Sequence, residues 1–68
     1  MPERNGTRVE VNGKTGFAVF ERGPIRFEGP VDKVLEQVAK TFKNASVGIQ
    51  QLNTEVFNAA LEESNYQG

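Results

Sequence analysis

The 68-residue sequence predicts an α+β fold: a three-stranded antiparallel meander followed by a two-helix hairpin packed on one sheet face. Three observations predict it. Apolar residues alternate with a period of two between Thr7 and Glu28, glycine and proline pairs cut that stretch into short runs, and the apolar spacing lengthens to three and four after Pro30. With so few residues the chain has room for one core, so residues 1–68 are read as a single domain: 1–6 disordered, 7–28 the meander, 30–64 helical.

The first strand is Thr7-Arg8-Val9-Glu10-Val11, whose alternation sends Val9 and Val11 to one face and Arg8 and Glu10 to the other. Asn12-Gly13 follows directly, and Asn-Gly between strand-like runs is a strong hairpin signal because both residues tolerate positive φ. The second strand, Thr15 to Glu21, closes at Arg22-Gly23-Pro24, and Ile25 to Glu28 alternates again as a third. Register after Asn12-Gly13 has two solutions. A two-residue loop pairs Val9 with Gly16, whereas a three-residue loop pairs Val9 with Phe17. The second is preferred because it gathers Val9, Val11, Phe17, Val19, Ile25 and Phe27 on one face.

Gly29-Pro30 marks the change to helix, with Gly29 acceptable as N-cap and Pro30 suited to the first helical position. Asp32 lies in the first turn and Lys40 and Lys43 late, as the helix dipole favours. Val31, Val34, Leu35, Val38 and Phe42 form an apolar stripe opposite Lys33, Glu36, Gln37 and Lys40. Asn44-Ala45-Ser46-Val47-Gly48 then interrupts with poor helix formers, and a second helix carries Ile49, Leu52, Val56, Phe57 and Ala60 to an end near Ser64.

A competing arrangement uses the same residues. Val31, Leu35, Val38, Phe42, Ala45, Ile49, Leu52, Val56 and Ala59 keep a heptad spacing straight through the interruption. That spacing suits a meander followed by one long helix of about 33 residues, roughly 50 Å, forming an intermolecular coiled coil. Gly48, at about 1 kcal/mol relative to Ala in a helix interior, and the lack of charged pairs beside the seam favour the hairpin.

Composition excludes whole classes of chemistry. The chain has no cysteine and no histidine, which removes disulfides, the common ligands of zinc, haem and iron–sulfur sites, and Ser-His-Asp or Cys-His catalysis. No cofactor and no metal site is expected. The adjacent carboxylates Glu62 and Glu63 point about 100° apart on a helix near the chain end and suit a solvated face better than acid–base work. Gly13-Lys14-Thr15 lacks the first glycine and the following helix of a phosphate-binding loop. The tripeptides Asn5-Gly6-Thr7 and Asn44-Ala45-Ser46 fit the glycosylation pattern, but no secretory segment accompanies them. A non-enzymatic protein is the reading.

Net charge is −1, with eight basic and nine acidic residues, so overall charge supplies no drive toward nucleic acid. The basic residues all fall at or before Lys43, leaving Glu55, Glu62 and Glu63 on an acidic C-terminal third. The polar start, the lack of an apolar run of spanning length and the absence of cysteine predict a cytoplasmic protein with no membrane contact.

Two candidate surfaces follow from the preferred register. On the outward sheet face Phe20 stands among Arg8, Arg22 and Arg26, an apolar anchor ringed by cations. On the helices, Leu35, Phe42, Ile49, Leu52, Val56, Phe57 and Leu61 form a broad apolar stripe that would serve as an interface. The expected function is a small protein–protein interaction or adaptor module that self-associates, its partner a second copy or another protein. The alternative is single-stranded nucleic-acid binding, with Phe20 stacking on a base and the three arginines on phosphates.

Overall fold

The computed structural model describes residues 3–4 and 6–66, with side chains from residue 6 onward. Four strands and two helices follow one another: β1 (Glu3–Arg4), β2 (Thr7–Asn12), β3 (Phe17–Arg22), β4 (Ile25–Pro30), α1 (Val31–Thr41) and α2 (Val47–Ser64). The sheet is antiparallel with order β1-β2-β3-β4, and both helices cover one of its faces, α1 over β3 and β4, α2 over β1 and β2. The meander and helical hairpin expected from the sequence are therefore present. At the N-terminus, where disorder is expected, Glu3–Arg4 adds a short edge strand to β2; the rest of that expectation, at positions 1, 2 and 5, lies outside the described residues.

The hairpin between β2 and β3 has neither expected loop length. Asn12 pairs with Phe17, leaving the four residues Gly13 to Gly16 as the loop, and Val9 faces Phe20. Asn12 does not supply a positive φ. Its side-chain Oδ1 instead accepts hydrogen bonds from the backbone N–H of Lys14 (2.9 Å) and Thr15 (3.2 Å), while its carbonyl accepts from Gly16 N–H (2.8 Å). The left-handed position falls on Gly16, at φ +73°. A loop that differs by an odd number of residues moves every side chain of the following strand to the other face. Thus Ala18, Phe20 and Arg22 face the helices, and Phe17, Val19 and Glu21 face out, reversing the expected sides of β3.

From β3 the chain turns through Gly23-Pro24, and Arg22 pairs with Ile25 and Phe20 with Phe27. The strand runs into the helix without a loop: Pro30 still pairs with Phe17, and Val31 opens α1 while donating its N–H to Gly16 O at 2.8 Å. Pro30 is thus the N-cap and not the first helical residue.

The core lies between the sheet and the helices. Val9, Ala18 and Phe20 meet Val31, Val34 and Val38 of α1 and Val56, Phe57 and Ala60 of α2, with Val11, Phe27, Phe42, Leu52, Leu61 and Tyr66 packed around them. Phe20 is its centre: fully buried, it stacks on Phe27 (ring centroids 6.1 Å apart) and meets the edge of Phe42 (6.0 Å).

The helices are separated by a turn at residues 42–46, so the long continuous helix does not form. Gln50 fastens that turn, its Nε2 lying within hydrogen-bonding distance of the carbonyls of Phe42 (3.0 Å), Lys43 (2.9 Å) and Ala45 (3.3 Å). At its far end α2 closes with Asn65 left-handed (φ 60°), Asn65 N–H on Glu62 O and Tyr66 N–H on Leu61 O, which returns Tyr66 to the core.

Candidate functional site

The corrected register decides what each sheet face can do. Phe20, expected as an outward anchor, has no exposed surface, so it can neither stack on a base nor insert into a partner. Arg22 also faces the helices. Its Nη1 donates to Thr7 Oγ1 and, at 3.4 Å, to Asn53 Oδ1, tying together the two polar side chains buried among the described residues. The Asn53 amide receives Arg22 at its Oδ1, and its Nδ2 has no hydrogen-bond partner among the described residues. Arg22 is thereby a structural cation at the end of the core.

Arg8 and Arg26 do lie on the outward face, but among glutamates. Arg8 bridges Glu10 (2.9 Å) and Glu21 (3.2 Å), and Arg26 bridges Glu28 (2.9 Å) and approaches Glu21 at 3.9 Å. The result is a continuous chain of alternating charge across three strands, Glu10, Arg8, Glu21, Arg26, Glu28. Its three carboxylates outnumber its two guanidinium groups, so it offers phosphates no excess of positive charge. Glu21 was missed from the sequence because the expected register hid it; with the four-residue loop it stands directly opposite both Arg8 and Arg26.

The helical stripe, expected as an interface, is mostly spent inside the molecule. Val56 and Phe57 are buried, and Phe42, Leu52 and Leu61 are half-buried against the core; Ile49 is half-buried beside Arg22, Leu52 and Glu55. Leu35 alone of that set is largely exposed. The polar side of α1 is held by an ion pair between Lys40 and Glu36 (3.1 Å), and the hydrogen bond and charge of Lys40 lower the Glu36 pKa below its usual value.

Two of the concavities on the helix side touch α1. One, of about 290 Å³, lies between the helices and is lined by Val38, Ala39, Phe42, Lys43, Gln50, Asn53 and Thr54. The other, about 250 Å³, runs along the outer edge of β4 and is lined by Arg26, Phe27, Glu28, Lys33, Val34 and Gln37. No carboxylates converge in either. Among the described residues no group of three or more acidic side chains could hold a metal ion, and no helix is long and apolar enough to cross a membrane.

The groove beside β4 adjoins the open edge of that strand. β4 ends the sheet, and among the described residues nothing pairs with its outer side. Antiparallel neighbours alternate between pairs that exchange backbone hydrogen bonds and pairs that do not. The two-residue loop at Gly23-Pro24 makes Arg22 and Ile25 an exchanging pair, and the Val31 to Gly16 bond continues the same alternation. Ile25, Phe27, Gly29 and Val31 therefore turn their backbone groups toward β3. Arg26 and Glu28 turn theirs to the open edge, and Pro30, which lacks an N–H, occupies the next outward position. Comparison with protein-family models, curated proteins and solved structures finds no match to the chain.

Proposed function

We propose that this chain is a non-enzymatic protein-recognition module that receives a partner's strand on the open edge of β4. The observation that carries the reading is the combination of outward backbone groups at Arg26 and Glu28 with a groove beside them floored by Phe27 and Val34. An added strand gains main-chain hydrogen bonds from the first and a pocket for alternate side chains from the second, which is how strand addition divides affinity from specificity. The lack of cysteine and histidine, and the involvement of the outer-face carboxylates in ion pairs, support a binding role over catalysis.

A selection from a displayed random-peptide library tests this. Enriched peptides are expected to slow hydrogen exchange at the Arg26 and Glu28 amides and to lose binding to the Glu28→Pro variant. That substitution removes an outward N–H without touching the ladder to β3. Peptides that enrich but protect amides elsewhere, or no enrichment by the chain at a dilution where it is monomeric, would refute the β4 edge as the binding surface.

A further inference from the structure

Resting on that reading of the β4 edge, we infer that its occupant is a second copy of this chain, bound antiparallel about a twofold axis with Phe27 facing Phe27. The argument is one of register. Only pairings that set outward backbone groups against outward backbone groups can form hydrogen bonds, so Arg26 and Glu28 must meet Arg26 or Glu28 of the second copy. Centring the axis on Arg26 puts guanidinium against guanidinium. Centring it on Glu28 puts carboxylate against carboxylate and sets Arg26 opposite Pro30, which has no N–H to give. Centring it on Phe27 places each Arg26 opposite Glu28 of the other copy, and every one of those residues both donates and accepts a backbone bond.

The side chains agree with this register on both faces. Outside, Arg26 and Glu28 already pair within the chain at 2.9 Å, so two copies close a four-membered ring of alternating charge and extend the ion-pair chain of each sheet into the other. On the helix side, facing residues of a pair that exchanges no bonds approach most closely. Phe27 of one copy, half-buried in its own chain, therefore lies at the groove that the other copy builds from Phe27, Val34 and Gln37. Charges on an edge strand guard against indiscriminate pairing. Here the alternation Arg26, Glu28 leaves one register open and closes its neighbours.

Sedimentation equilibrium of the full chain over a dilution series provides the test. The parent is expected to form a reversible dimer. Arg26→Glu and Glu28→Arg are each expected to raise its dissociation constant by about tenfold or more, since each places like charges together twice across the axis. An equimolar mixture of the two variants is expected to dimerise again, because the acidic edge of one then faces the basic edge of the other. That recovery cannot come from a misfolded chain. A parent that stays monomeric up to about 1 mM overturns the inference, as does a dimer indifferent to both substitutions or a mixture that fails to reassociate. If that monomer nonetheless captures selected peptides on β4, the recognition reading stands and only the second copy is excluded. If a dimer forms while the Arg26 and Glu28 amides stay unprotected, the second copy on β4 is excluded, and the recognition reading stands only if selected peptides protect those amides.

Discussion

Phe17 and Phe20 lie three positions apart on one strand and have opposite fates. Phe20 sits between Phe27 and Phe42 with no surface exposed, whereas Phe17 is 54% exposed on the outward face. Truncating a buried phenylalanine removes its transfer free energy and leaves a cavity, at a combined cost of about 3–5 kcal/mol. A domain of this size is stable by only about 3–10 kcal/mol in total. Phe20→Ala is therefore expected to leave a marginally folded or unfolded chain, and Phe17→Ala to shift stability by less than about 1 kcal/mol. Urea denaturation followed by circular dichroism distinguishes the two. Equal losses, or a larger loss at Phe17, would mean that β3 carries the other face inward and that the register described above is wrong.

At the scale of the elements, most of the fold was legible because periodicity reports it directly. The alternation in β2 and β4, Val31, Val34 and Val38 of the α1 stripe, and the end of α2 at Ser64 all lie where the sequence pattern places them, while Leu35 of that stripe is exposed. The middle strand was not legible, since its facing depends on loop length. Asn-Gly is ambiguous about that length: the asparagine can be a turn residue or, as here, the last strand residue whose side chain caps a longer loop. That one ambiguity moved Phe20 and Arg22 off the outward face and hid Glu21, and with them most of the expected sheet-face site. Gly13 shows what the sequence had no means to reveal. A Cβ there would overlap the Ser64 carbonyl oxygen at the end of α2, so the β2–β3 loop and the helix end touch through bare backbone. Gly13→Ala is expected to destabilise by about 1–3 kcal/mol through that overlap. Gly48→Ala, in the first turn of α2 with nothing within 4 Å of the new methyl, is expected to stabilise by up to about 1 kcal/mol. Thermal melts of the two variants test the contrast, and a neutral Gly13→Ala would show that the loop does not dock on α2.

For the molecule as a whole, the unbroken heptad from Val31 to Ala59 shows how one apolar pattern serves two topologies. The folded-back form wins because it buries Val56, Phe57 and Ala60 on this chain's own sheet, and because Gln50 secures the carbonyls freed where the helix breaks. On the proposed reading, stability and assembly would reside on different surfaces, the first beneath both helices and the second along β4. Leu52→Lys separates them. Leu52 is half-buried against the core, so a lysine there must either carry its charge into an apolar setting or lift its stem out of the packing, at about 1–3 kcal/mol. The denaturation midpoint is expected to fall while the dissociation constant of the folded dimer, measured well below that midpoint, stays within about twofold of the parent. Were the helices instead one long coiled-coil arm, a charge at this seam position would dissociate the assembly directly. Loss of the dimer from a Leu52→Lys chain that still melts cooperatively would therefore move the interface from β4 to the helices.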